Sequence, residues 1–182
     1  MIRRFLFRVK MQHGLVQLYT GAGKGKTTAA LGLALRALGA GLKIYLGQFI
    51  KKGDYSEIKA LRRFRANILV RQYGRGGFIR GAPVPADILS AQKGLRDLNR
   101  AMAGGKYDLV IADEIICAVN AGLISAKDVL GLIDKKPSSV ELVLTGRNAP
   151  ARIIKRSDLV TEMRKIRHPF DKGINGRKGI EY

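Results

Sequence analysis

The 182-residue chain has a single cysteine, Cys117. One thiol excludes an intramolecular disulfide and a cysteine-built zinc site. It stands in the apolar run Ile115-Ile116-Cys117-Ala118-Val119 and reads as a small buried hydrophobe. Histidine is nearly as scarce. His13 and His168 have no partner at metal-ligand spacing, so neither is assigned to catalysis. Long apolar runs are missing: none approaches the ~20 residues of a membrane-spanning helix. The opening segment, Met1 to Lys10, is broken by Arg8 and Lys10 and has no small-residue cleavage site, so it reads as cytoplasmic sequence. Acidic residues are also few, 14 against 34 Lys and Arg, for a formal net charge of +20. That excess suits nucleic acid, an anionic substrate or acidic protein partner, or a generally basic surface. The charges are scattered in short pairs such as Arg62-Arg63 and Lys155-Arg156, without a basic tail, which weighs against nucleic acid.

What is present is concentrated in Thr20-Gly21-Ala22-Gly23-Lys24-Gly25-Lys26-Thr27-Thr28. This segment follows the apolar run Leu15 to Tyr19 and precedes an apolar helical stretch, Ala29 to Leu38. Strand, glycine-rich loop and helix in that order make a phosphate-binding loop. Glycines let successive N–H groups point inward, and the helix N-terminus adds its positive dipole end. Lys26 supplies an ammonium for phosphate oxygens and Thr27 a hydroxyl for Mg²⁺. In the common spacing the first glycine would fall on Thr20. Here Gly21 stands one residue late, so the loop is tighter and carries an extra Lys24. Binding of a nucleoside triphosphate follows; which bond is broken does not.

Further strands are expected at 43–49, 67–72, 107–112, 140–145 and, at an edge, 158–163. Helices are expected at 27–38, 54–65, 86–103, 125–134 and 149–156. The alternation predicts one α/β domain over 1–182, of P-loop NTPase (RecA-like) type, with a mostly parallel sheet and helices on both faces. Residues 1–13 form a short leading segment and 168–182 a loop-like tail. Ligands of such sheets sit at the carboxyl ends of the strands. The loop, the pair Asp113-Glu114 and Thr145-Gly146-Arg147 all follow strands and should converge there. Strand alternation would aim Asp113 and Glu114 to opposite sides, so only one is expected to face a metal ion. Arg147 can meet a phosphate or a substrate carboxylate, or simply lie on the surface. Arg36 either contacts nucleotide or covers its helix. The glycine-rich stretch Gly74 to Gly81 reads as a functional loop ended by Pro83 and Pro85.

With those residues in view, the chain resembles the P-loop type corrinoid adenosyltransferases, also called cob(I)alamin adenosyltransferases. The resemblance lies in Tyr19 to Ala30, in Gln48-Phe49-Ile50-Lys51, Ile111-Ala112-Asp113-Glu114-Ile115 and Leu144-Thr145-Gly146-Arg147. It continues in His168-Pro169-Phe170-Asp171-Lys172-Gly173 and Gly179-Ile180-Glu181-Tyr182, and covers residues 14–182. The tight loop and the terminal motif together are specific to that family.

The resemblance implies an enzyme whose reduced corrinoid, as Co(I), attacks the 5′ carbon of ATP, releasing triphosphate. It implies ATP bound in reversed polarity along the loop. It gives the loop residues Gly21, Ala22, Gly23, Lys24, Gly25, Lys26, Thr27 and Thr28 to the nucleotide, and Thr27 and Glu114 to Mg²⁺ or Mn²⁺; Arg36 and Arg147 join the nucleotide candidates, and Asp113 the metal candidates, by position. Phe78 matches a family aromatic beside the corrin. The family's nearby Trp is replaced, at Arg80, and the chain has no Trp at all. A dimer and an acidic flavodoxin-like reductant also follow from the resemblance. The rival readings are a RecA-like nucleic-acid-stimulated ATPase, a small-molecule kinase and a nucleotide-binding regulator without turnover.

Overall fold

The computed structural model describes residues 11–76 and 81–182. Among the described residues six strands form one sheet: β1 (Val16–Thr20), β2 (Ile44–Phe49), β3 (Ile68–Tyr73), β4 (Leu109–Asp113), β5 (Glu141–Thr145) and β6 (Leu159–Glu162). Their order is β3-β2-β4-β5-β1-β6, and every pairing is parallel. Parallel neighbours need crossover connections, which the helices supply: α1 (Lys26–Gly39), α2 (Ser56–Leu61), α3 (Pro85–Ala103), α4 (Ile115–Asn120), α5 (Ala126–Asp134) and α6 (Ala151–Ile154). The expected P-loop NTPase architecture is thus present. Among the described residues no helix is long and apolar enough to cross a membrane.

The two sheet faces bury different cores. Ile44 and Leu46 of β2, Leu109 and Ile111 of β4 and Val143 of β5 pack against Ala30, Ala34 and Ala37 of α1. Tyr45, Phe49, Val110, Ala112, Leu142 and Leu144 face the other way, onto Leu98 of α3, Val129 and Leu132 of α5 and Ile153 of α6. The period of two in the strand sequences is therefore complete on both sides, as a doubly covered parallel sheet requires. The small alanines of α1 let that helix lie close over the strands.

Helix ends differ from expectation where local chemistry intervenes. Helix α2 begins after Tyr55 and tightens into a 3₁₀ turn, Arg62–Phe64. Helix α5 starts at a capping box: Ser125 Oγ accepts from Asp128 N–H at 3.1 Å, and Asp128 Oδ2 accepts from Ser125 N–H at 2.8 Å. Helix α4 was not expected. Its run Ile115 to Val119 is uniformly apolar and carries no helical period to read. The tail is mostly loop, with one 3₁₀ turn, Pro169–Lys172.

Candidate functional site

The carboxyl ends of β1, β4 and β5 open onto a cleft of about 910 Å³, lined among others by Lys26, Thr27, Lys51, Glu114, Arg147 and Glu181. That is the size range of ligand pockets. The loop between β1 and α1 wraps around Lys26, whose Nζ donates to the carbonyls of Gly21 at 2.8 Å and Gly23 at 2.7 Å. The first helical backbone bond of α1 runs from Ala29 N–H to Gly25 O. The amides of Lys26, Thr27 and Thr28 thus precede the ladder, as anion-binding donors do at a helix N-terminus. Burial, and then the nearby Arg147 charge, hold the Lys26 ammonium below the usual lysine range; Glu114, Cys117 and Asp113 oppose them. A bound anion would relieve both effects.

Beneath the loop lies a row of polar residues. Gln48, Asp113 and Thr145 hold the last positions on the α1 side of three adjacent strands, and all are fully buried. Register explains the row: Gln48 pairs with Asp113, and Ala112 with Leu144, one step before Asp113 and Thr145. Asp113 Oδ1 accepts from the hydroxyls of Thr27 and Thr145, each at 2.8 Å. Its Oδ2 accepts from Lys51 Nζ at 2.9 Å and Gln48 Nε2 at 3.2 Å. Four donors satisfy a buried carboxylate that would otherwise be costly.

Glu114 does not continue the strand. Its backbone is left-handed, with φ 60°, and it caps the start of α4. Its N–H donates to Thr145 Oγ1 at 2.8 Å. This turn puts Glu114 on the cleft wall, whereas Asp113 is buried and reaches the cleft only through its bonds to Thr27 and Lys51. Gly146, with φ 144°, makes the turn possible from the other side: a Cβ there would fall 2.7 Å from Ile116 Cβ.

The remaining expected residues divide. Gly23, Lys24, Gly25, Thr28 and Arg147 line the cleft; Gly21 contributes its carbonyl to Lys26, and Ala22 is exposed. Arg36 is in the last turn of α1, about 15 Å along the axis from Lys26, and is not among the cleft residues. Cys117 is half-buried rather than a core residue, with Arg147 N–H donating to its sulfur at 3.4 Å. Burial and then the Glu114 charge push its thiol up to about 12. Phe78 and Arg80 lie outside the described residues.

Sequence reasoning missed Gln48, gave Thr145 a place at the strand ends but no role, and missed Lys51. A polar residue at the last inward position of adjacent buried strands is the signal that would have found the first two. The tail also enters the site. Lys24 Nζ contacts Glu181 Oε1 at 2.8 Å and the Ile180 carbonyl at 3.2 Å, and Ser56 Oγ donates to the Tyr182 carbonyl at 3.0 Å. Gly23 N–H donates to Met163 O at 2.6 Å, tying the loop to the chain just after β6.

This cleft has counterparts. The chain is 33% identical to a corrinoid adenosyltransferase of Pseudomonas aeruginosa, over 94% of this chain and 85% of that one. It is 33% identical to one of Sinorhizobium sp, over 94% and 81%, and 30% identical to one of Escherichia coli (strain K12), over 94% and 87%. A family model described as ATP:corrinoid adenosyltransferase BtuR/CobO/CobP matches residues 12–182, a span that takes in the loop, the acidic strand end and the tail folded over them. The match covers nearly the whole chain, and the chain belongs to the ATP:corrinoid adenosyltransferase family.

Proposed function

We propose that the enzyme transfers the 5′-deoxyadenosyl group of ATP to the Co(I) centre of a reduced corrinoid, either cobalamin or a precursor. The observation that carries this reading is the convergence of Lys26, Thr27, Glu114 and the family's terminal motif on one cleft, with Asp113 bonded to Thr27 behind it. In the step, the cobalt electron pair forms the Co–C5′ bond. The C5′–O bond of ATP breaks, and its electron pair leaves with triphosphate. Charge thus develops on the leaving phosphate oxygens, where Lys26 and the loop amides are aimed to receive it. Because the corrinoid is itself the nucleophile, the protein needs to position and stabilise rather than attack.

The donor set fits a hard divalent cation: the Thr27 hydroxyl and the carboxylates of Asp113 and Glu114 are all oxygen ligands. Among the described residues there is no group of three or more His, Cys, Asp and Glu able to hold a metal. Thr27 and Glu114, backed by Asp113, would therefore hold Mg²⁺ or Mn²⁺ jointly with phosphate oxygens. When bound, the ion adds positive charge beside the departing triphosphate. Arg147, on the cleft wall, is a further phosphate partner in this reading. Phe78, with Arg80 near it, is assigned to the corrin side. We further read the enzyme as a cytoplasmic homodimer that takes electrons from an acidic flavodoxin-like donor.

The test is incubation in the dark with ATP, Mg²⁺ and chemically reduced cob(I)alamin. Light-sensitive adenosylcobalamin together with intact triphosphate supports the transferase. Orthophosphate without a cobalt–carbon product would overturn it in favour of an ATPase.

A further inference from the structure

Lys51 is 24 residues from Thr27 and 62 from Asp113 along the chain, yet its ammonium donates to both, at 3.1 Å to Thr27 Oγ1 and 2.9 Å to Asp113 Oδ2. These are two of the oxygens that the metal-dependent reading above gives to a divalent cation. The position is built rather than incidental. Ile50 just before it adopts a left-handed φ of 62°, a costly conformation for a β-branched residue. The loop after β3 presses against this turn so closely that a Cβ on Gly74 would lie 2.3 Å from Ile50 O and 2.7 Å from Lys51 N. The ammonium reaches the carboxylate from the cleft: Lys51 is about a quarter exposed, while the Asp113 side chain it pairs with is fully buried.

We propose that Lys51 is the resident cation of the nucleotide-free site, a positioning residue that keeps Thr27 and Asp113 in place and excludes a free divalent ion until metal and ATP enter together. An ammonium and a divalent cation repel too strongly to share the same oxygens. Phosphate oxygens change the balance: they add negative charge and further ligands, so the metal–nucleotide pair displaces the ammonium where the metal alone does not. Metal uptake then becomes conditional on nucleotide. The inference rests on the reading that metal and ATP meet at this loop.

The test is a Mn²⁺ titration of the nucleotide-free protein, followed by water-proton relaxation, which distinguishes protein-bound Mn²⁺ from free ion and from Mn–ATP. Wild type is compared with Lys51→Met and, in case that variant does not fold, Lys51→Gln. Removing a full charge from the ion's position should tighten Mn²⁺ binding about tenfold or more. Adding Asp113→Asn to Lys51→Met should reverse the gain. A merely structural lysine would not produce this pattern. Equal Mn²⁺ affinity in wild type and the folded Lys51 variants overturns the proposal. If wild type then takes up Mn²⁺ once ATP is present, the metal–ATP reading survives that failure. If it takes up none even with ATP, both fall together.

Discussion

Asp113 concentrates the demands of the site in one side chain. It is fully buried and accepts four hydrogen bonds, two of them at 2.8 Å from threonine hydroxyls. Asp113→Asn replaces an acceptor-only group by one whose NH₂ must face donors, and it leaves the Lys51 ammonium without its counter-charge. We expect a loss of about 2–4 kcal/mol, read by urea unfolding; an unchanged midpoint would show that the row is not stabilising. Lys26→Ala removes the ammonium that holds the loop through the Gly21 and Gly23 carbonyls and that the proposed function assigns to phosphate. ATP affinity by calorimetry should fall about 100-fold or more, and an intact ATP affinity would contradict the assignment. Cys117 provides a pH test. Its thiol, pushed up to about 12, remains protonated through neutral and mildly alkaline pH. Only the thiolate attacks alkylating agents, so iodoacetamide at pH 8 should react far more slowly than with a free cysteine, whose pKa is about 8.5. The sign is set by the upward shift: the rate should keep rising with pH well beyond the value at which a free thiol levels off. Levelling off near pH 9 would place Cys117 in a more exposed environment.

At the scale of elements, the turn from β5 meets the start of α4 through Gly146. Its φ of 144° and the 2.7 Å approach to Ile116 leave no room for a side chain. Gly146→Ala should cost about 2–4 kcal/mol through strain and forced displacement of α4, and with α4 displaced Glu114 moves out of the cleft. Thermal unfolding and ATP titration of the variant check both parts; a variant as stable as wild type would mean that the turn yields easily. This junction also marks the limit of what the sequence makes legible. The six strands and the loop can be read because alternation, glycine and flanking polarity are local properties of the chain. Helix α4 cannot, because a run such as Ile115 to Val119, buried on most sides, has lost the polar face that would reveal its period. Gln48, Thr145 and Lys51 fail for another reason. Each is an ordinary polar residue in its own segment and gains its place only when β2, β4 and β5 are set in register.

At the scale of the whole molecule, the net charge of +20 produces a field that reaches beyond any one contact. If an acidic flavoprotein supplies the electrons, turnover driven by it should fall as ionic strength rises, while turnover with chemically generated Co(I) should not. Equal salt dependence in the two assays would remove the electrostatic steering. The strand order has a consequence of a different kind. Strand β1, which carries the nucleotide loop, lies between β5 and β6: Val16 pairs with Leu142, and Gln17 with Leu159. Strand β1 precedes all the other described strands, and it has neither neighbour until residues 141–162 have been made. Closing loops of that length makes the pairing late and slow, and until then Val16, Leu18 and Tyr19 are an unpaired apolar edge. The strand that leads into the proposed ATP loop is thus made long before it acquires its shape. A nascent chain stalled before residue 140 should neither bind nucleotide nor stay soluble without a chaperone.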